Sequence, residues 1–421
     1  MSARLRDDCF SLPPGVAWTP VDRALALLRD RLSCVTGIED VPAATALGRI
    51  LARPAIAART NPPADNAAVD GYAFAWASIA ENTSEANLPL EPGRAAAGHP
   101  FARPLPAGHA VRILTGAEIP EGADTVVLQE DAEVRAGRVR FHVPRKQGAN
   151  ARDSGEDIRA GAIVLPAARR IGPAEIARLV SAGVTTISVR RPLRVGVIST
   201  GDELLPPDSA ASATGIMDTN RPMLSALIDA FGYECMDLGL LPDNALQIRA
   251  ALDKGAETCD AILTSGGASA GDEDHISRLL REDGTLSTWR IAVKPGRPLA
   301  LGLWQGTPVF GLPGNPVAAF VTALIFARPA LCLLAGRDWT EPTGFQVPAA
   351  FSKSKKAGRR EYLRARLNAD GGVETFRSEG SGLIGGLSWA DGLVELPDDA
   401  LEITPGTPVR YLPYTSFGLG A

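Results

Sequence analysis

The stretch CDAILTSGGASAGDEDHI, residues 259–276, runs from a short apolar segment through a Gly-Gly turn into three successive carboxylates, Asp272, Glu273 and Asp274. An apolar run, a turn of small residues and an acid-rich start to the next segment describe a β-strand feeding an α-helix, because negative charge is favourable at a helix N-terminus. The layout recurs on both sides. LRVGVIST (193–200) precedes helical patterning over residues 221–231, and YECMDLGLL (233–241) precedes a second helix over 245–255. After the helix that starts near Asp272 come STWRIAV, LALGLW and PVFGL, then a long apolar helix. Such alternation predicts a largely parallel sheet with helices on both faces, whose ligands lie beyond the carboxyl ends of the strands. STGDEL, LPDN, TSGG and GLPGNP all fall at such ends.

TSGGASAG is neither a Walker sequence nor the dinucleotide fingerprint. Its Gly266, Gly267 and Ser269 leave backbone N–H groups open to an anion. The same residues also suit a plain strand-to-helix connection, and the stretch alone leaves both readings open. Glu203 of STGDEL and Asp243 of LLPDN join Asp274 at corresponding strand ends. One such acid is ordinarily a helix cap; three suggest a site for a hard cation such as Mg²⁺, which prefers oxygen ligands and bridges phosphates. AVKPGRPLALG (292–302) sets Lys294 and Arg297 around a Pro-Gly turn. GLPGNP (311–316) offers Pro313, Asn315 and Pro316 in a rigid turn that opens backbone amides of the next helix, and both stretches also read as ordinary turn chemistry. FSKSKKAGRREYLRAR (351–366) is the densest basic run, suited to a small anion or, more commonly, to a solvated surface.

The chain has 421 residues, 45% apolar and 22% charged, with formal charge −5. That length predicts several domains, and the composition excludes extended disorder and argues against nucleic acid or an anionic membrane as a global partner. Five scattered cysteines without CxxC spacing suggest neither a disulfide framework nor a zinc cluster, and the N-terminus carries no signal-like apolar core, so a cytoplasmic protein is expected. Residues 316–336 approach the length of a bilayer span, yet Arg328 and Pro329 interrupt them in the middle, which predicts a buried helix of a soluble domain. Before residue 191 the pattern is helical over 21–53, with Ala24, Leu25, Leu27, Leu28 and Leu32 on one face and a second short helix over 45–51. It turns β-rich and helical again at IGPAEIARLVSAG. Residues 61–144 therefore read as a mainly β unit inserted into a linker domain made of 18–60 and 145–190. The α/β unit spans 191–337, and 338–421 is β-like.

Taken in order, PADNAAVDGYA, RILTGAEIPEGADTVVLQE, SGEDI, STGDEL, TSGGASAGDED, KPGRP and GLPGNP resemble the motif series of the molybdopterin molybdenumtransferase family, the bacterial MoeA type related to the C-terminal domain of gephyrin. The similarity runs from about residue 18 to the C-terminus in the family's order and spacing. It implies an elongated homodimer whose subunit has a three-layer α/β molybdopterin-binding domain, an inserted mainly β domain, a small helical linker domain and a C-terminal β-barrel domain. It also implies the last step of molybdenum cofactor synthesis. Adenylylated molybdopterin and molybdate react, AMP is released and molybdenum is left on the dithiolene sulfurs, in a cleft between the α/β domain of one subunit and the β insertion of the other.

By position, the resemblance assigns functional roles to Asp70, Thr115 and Asp157 from the first two domains and to Glu203, Asp243 and Asp274 from the α/β domain. Lys294 and Arg297 match the family's basic pair, and Pro313 and Pro316 its PGNP turn. We therefore expect Glu203, Asp243 and Asp274, joined by Asp70 and Asp157 across the dimer, to place Mg²⁺ on the pyrophosphate link. Lys294 and Arg297, helped by the basic residues of 359–364, are expected to hold molybdate or phosphate. Other cofactor-synthesis proteins and molybdoenzymes are the implied further partners, and the four histidines receive no role. Three departures stand out: alanines replace the usual valines of TSGGASAG, DTNRPML replaces the usual Asp-Ser-Asn-Ser-Tyr run, and Arg297 stands where lysine is frequent, offering a planar fork instead of a point donor. Two other classes remain: a nucleotidyltransferase or hydrolase acting on another adenylylated substrate, and a gephyrin-like dimeric scaffold.

Overall fold

The structure, a computed structural model, describes residues 18–81, 83–207, 215–266, 275–296 and 298–420, leaving out the side chains of 287–289 and 298. Helix α1, Val21–Arg31, buries Val21, Ala24 and Leu28, one stripe at helical spacing. That stripe packs with Leu32 into the main core of the α/β unit, beside Leu193, Leu324 and Leu331. The expected helix over 45–51 does not form. A single 3₁₀ turn covers Ala43–Thr45, and Ile50 and Leu51 enter β-bridges instead. Gly48 lies between them at φ +79°, outside the helical region, and ends any helical path.

The linker is built on short antiparallel pairs, Ile38–Pro42 with Thr186–Arg190 and Ala55–Ile56 with Ile163–Leu165. Helix α2, Pro173–Ser181, covers them, with Pro173 at its first position and the Glu175 carboxylate accepting from the Gly172 N–H. Between the two linker segments lies a six-stranded sheet. Its edge strand Thr125–Leu128 is followed by Gly71–Phe74, Ala110–Ile113, Glu85–Ala95, Arg138–His142 and Ala132–Arg135. Two cores flank it, one around Val111, Ile113 and Val126, the other around Phe74, Val127 and Phe141, and neither includes a residue of the α/β unit.

The α/β unit follows as β1 Arg194–Thr200, α3 Asn220–Phe231, β2 Glu234–Leu241, α4 Ala245–Thr258, β3 Ala261–Ser265, α5 His275–Asp283, β4 Thr285–Arg290, β5 Pro298–Trp304 and β6 Thr307–Leu312. The sheet order is β2-β1-β3-β6-β5-β4. Its first four strands are parallel, and β5 and β4 are added antiparallel. β1 buries Val195, Val197 and Ile198, so both of its faces are covered, as a central parallel strand requires. On one face lie α3 and the apolar helix, through Leu224, Ile228, Phe320 and Leu324; on the other lie α4 and α5, through Ile248, Leu252, Ile276 and Leu280.

The apolar helix runs from Pro316 to Leu334, and 94% of its most apolar window is buried inside the protein. This is the buried helix expected from the sequence, and it runs through Arg328 and Pro329 unbroken. Residues Ala323–Ala327 form a π turn in which the Arg328 N–H reaches back to Ala323, a widened register that accommodates a proline lacking its own donor. The Arg328 guanidinium is buried, donating to the carbonyls of Phe417 (2.7 Å) and Thr340 (3.2 Å) near the rings of Phe231 and Phe417.

The C-terminal unit is a sheet in the order Val293–Lys294, Arg360–Leu367, Gly392–Leu396, Pro408–Pro413 and Phe345–Pro348, with Val373–Thr375 paired to Arg360–Leu367. Its first strand comes from the KPG segment that precedes β5. Val293 and Lys294 lie opposite Arg360 and Glu361 in parallel register, stitching the two units together. The Arg360 guanidinium makes a bidentate pair with Asp22 of α1, at 2.5 and 2.8 Å, which adds a second point of attachment.

Candidate active site

Parallel pairing aligns the strand ends, because Leu241 lies beside Thr200, Ser199 beside Ser265, and Ser265 beside Leu312. The loops that follow therefore stand side by side in the order Asp243, Glu203, Gly266 and Pro313–Pro316. Asp202 and Asp243 bind each other's backbone: the Asp243 N–H donates to Asp202 Oδ1 at 3.0 Å, and the Asp202 N–H to Asp243 Oδ2 at 3.4 Å. Glu203 is exposed, with its carboxylate folded over Gly201. A Cβ at position 201 would lie 2.6 Å from Glu203 Oε2, and the φ of +150° there is itself suited to glycine. Gly266, at φ +88°, turns the chain against Thr200. Asp274, Gly267, Ser269 and Arg297 lie outside the described residues.

Beneath this row lies a polar network that sequence reading left unassigned. The Asn220 amide donates to Ser265 Oγ (2.7 Å) and to the Gly314 carbonyl (2.6 Å), tying the TSGG strand end to the PGNP turn. Buried Asp218 accepts from Ser199 Oγ and from the Arg221 backbone and Nε, each at 3.1 Å. In the sequence DTNRPML stands out only as a departure; its signal is an Asp and an Asn placed where a strand-end loop enters a helix. Asn220→Ala removes both amide bonds from a buried position and leaves their acceptors unpaired. A loss of about 1–3 kcal/mol is expected in urea unfolding.

The KPG turn packs on the PGNP turn: a Cβ at Gly296, where φ is +98°, would meet Thr322, Pro313 and Ala318. Beside it a cavity of about 240 Å³ opens between the α/β and C-terminal units, lined by Lys294, Lys353, Arg364, Phe376, Ser378 and Glu379 among others. Of the basic run, read from the sequence as suiting either a small anion or solvent, Lys353 and Arg364 line this cavity, whereas Lys356 and Arg366 are exposed. Arg364 is 4% exposed and donates to the carbonyls of Ser378 (2.5 Å), Leu383 (2.6 Å) and Gly380 (3.1 Å), which shapes the loop that closes the cavity. Burial pushes Lys353 down, but hydrogen bonds to Glu379 and Glu361 outweigh it and hold the ammonium above the usual lysine range.

Asp70 and Thr115 are brought together in the insertion. The Thr115 N–H and hydroxyl both donate to Asp70 Oδ1 at 2.7 Å, and these bonds, the backbone one first, hold the carboxyl below its ordinary range. Asp157 accepts from the Asn61 amide at 3.1 Å in the linker. Asp70 and Thr115 thus lie on the insertion and Asp157 on the linker, outside the α/β unit that carries Glu203 and Asp243. As for a cation, no three His, Cys, Asp or Glu side chains cluster as metal ligands among the described residues. Glu203 and Asp243 at neighbouring strand ends fit an ion such as Mg²⁺, which takes one or two carboxylates and completes its sphere with water and phosphate; they do not fit an all-protein cage.

Known proteins share this arrangement. Residues 19–183 match the family described as "MoeA N-terminal region (domain I and II)", residues 196–332 the "Probable molybdopterin binding domain" and residues 346–414 the "MoeA C-terminal region (domain IV)". The chain is 33% identical to the molybdopterin molybdenumtransferase of Haemophilus influenzae over 400 residues, covering 94% of this chain and 98% of that protein. It is 32% identical to gephyrin of Dictyostelium discoideum over 359 residues, covering 76% of this chain and 50% of that protein. Its structure is similar to the crystal structure of the molybdopterin biosynthesis MoeA protein of Pyrococcus horikoshii, with a TM-score of 0.81 at 27% identity, covering 94% of this chain and all of the other.

Proposed function

The chain belongs to the MoeA family of molybdopterin molybdenumtransferases, and from that membership we propose that it inserts molybdenum into molybdopterin, acting in the cytoplasm on adenylylated molybdopterin and molybdate with release of AMP. The observation that carries this reading is the junction cavity. It sets Lys294, Lys353 and Arg364 next to the PGNP turn, at the end of a row of strand-end loops bearing Glu203 and Asp243. A phosphorylated pterin lying along that row would meet open backbone at Gly266 and carboxylates at its other end, with the oxyanion seated at the cationic end.

The residues have little acid–base work to do. Their part is positioning and charge neutralisation, which are most effective where the groups are fixed before the substrate arrives. Lys294 and Lys353 hold the oxyanion, and Glu203 and Asp243 are the residues that would hold Mg²⁺. Magnesium, when bound, neutralises charge on the pyrophosphate link and so favours departure of AMP. Asp70 and Asp157 would reach this row from a second copy of the chain.

The test is incubation of the purified protein with adenylylated molybdopterin, magnesium and molybdate, following AMP and metal-bound pterin. Molybdate-dependent AMP release that stops on chelation of magnesium is the expected result. AMP release without molybdate, from a substrate that is not a pterin, would replace this function with an adenylyl hydrolase or transferase. Failure to restore molybdoenzyme activity in a strain lacking the insertion step would leave the dimeric scaffold.

A further inference from the structure

The junction cavity already holds a negative group where the proposed function needs an oxyanion. Glu379 lies 2.5 Å from Lys294 Nζ and also pairs with Lys353, so its two carboxylate oxygens bridge both ammonium groups. Glu361 is the second counter-charge, at 3.6 Å from Lys294 and 3.2 Å from Lys353. The two acids differ in how they are held. Glu361 is buried in the strand paired to Lys294, whereas the Glu379 side chain is 43% exposed on the loop at the cavity mouth. That loop is fixed by its backbone: Arg364 takes the carbonyls of Ser378, Gly380 and Leu383, and the Val317 N–H donates to the Ser381 carbonyl at 3.1 Å. The Glu379 side chain can therefore leave the two lysines while its loop stays in place.

We propose that Glu379 is a carboxylate latch that occupies the oxyanion seat between Lys294 and Lys353 and makes the cavity selective for dianions over monoanions of the same shape. This rests on the cavity being the oxyanion seat of the proposed function. An incoming anion must displace Glu379 from two charge-assisted contacts, and such contacts are stronger than neutral hydrogen bonds. A tetrahedral monoanion exchanges one negative charge for one and gains no Coulomb energy. A dianion brings one charge more and offers each lysine its own oxygen, so it alone displaces the latch with a net electrostatic gain. Glu361 stays behind as the fixed counter-charge that prevents the empty seat from carrying two bare ammonium groups.

The experiment is calorimetric titration of the intact wild-type protein, E379Q and E379A with molybdate and with perrhenate, a tetrahedral monoanion of similar shape, each protein being checked by its melting curve. The wild type is expected to take molybdate and to discriminate against perrhenate. Both variants are expected to bind molybdate about tenfold more tightly and to bind perrhenate measurably. Unchanged or weaker molybdate affinity in natively melting E379Q and E379A overturns the latch, and so does a gain for molybdate with none for perrhenate. AMP release is read separately on the wild type. Its absence removes the molybdenumtransferase function without altering the binding comparison, so the two failures are distinguishable.

Discussion

Glu203→Ala and Asp70→Ala proteins are each expected to lose molybdate-dependent AMP release by about 100-fold or more, the scale seen when one fixed electrostatic group is removed from a reaction centre. A mixture of the two, allowed to exchange subunits, is expected to recover about a quarter of wild-type turnover. The reason is geometric. Asp70 is fixed by Thr115 in the insertion, Glu203 stands at the end of β1, and no described contact links them within one chain. In a twofold dimer whose sites each combine the insertion of one copy with the strand ends of the other, a mixed dimer has one site carrying both lesions and one carrying neither. With random exchange, half of the dimers are mixed and each has one intact site. A mixture that stays inactive while native mass spectrometry shows mixed dimers would put both residues in the same site of the same chain. Full turnover by Glu203→Ala would reject the carboxylate's role in holding magnesium.

Gly71→Ala is expected to destabilise the insertion by about 3 kcal/mol or more, the upper range for overpacking a well-filled interior. A Cβ on Gly71 would lie 1.9 Å from the Val127 carbonyl oxygen and 2.9 Å from its carbon, both backbone atoms of the adjoining strand, with Val126 Cγ1 at 3.1 Å. No rotamer relieves a clash with main chain, so the strands Gly71–Phe74 and Thr125–Leu128 have to separate. Limited proteolysis should then cut within 61–144 while the α/β unit stays resistant, and turnover should fall because Asp70 is the preceding residue. A melting curve and cleavage pattern like the wild type's would show that the sheet yields where the geometry says it cannot. The glycine of the DGY motif thus has a cause in strand spacing, separate from the chemistry of its neighbour.

The α/β arrangement was legible because strand–helix alternation is written locally, in runs such as LRVGVIST and CDAILTSGG whose apolar residues are consecutive. Acids at STGDEL and LLPDN could be placed at one edge of the sheet for the same reason: parallel strands put all of their carboxyl ends on one side. One local reading failed for a local reason: Gly48 at positive φ broke the helix expected over 45–51. The buried apolar helix formed as expected, with a π turn carrying it through Pro329. What the sequence could not show was the cationic cavity. Lys294 meets Glu361 only through the register of Val293–Lys294 on Arg360–Leu367, and Glu379 reaches both lysines only because buried Arg364 bends its loop inward. Lys353 and Arg364 therefore show in the sequence only as members of a basic run suited to an anion or to solvent, Glu379 carries no signal there, and Asn220 shows only as part of a departure from a pattern.

Because Lys294 is a rung of the C-terminal sheet as well as part of the turn before β5, the last unit of the chain cannot be cut away as an inert appendage. Any tilt of that sheet acts as a lever on the ammonium group at its rim, with the Asp22–Arg360 clasp as a second anchor that limits the swing. The separation of Lys294 and Lys353, the seat proposed above for the oxyanion, thus depends on how the two units are joined.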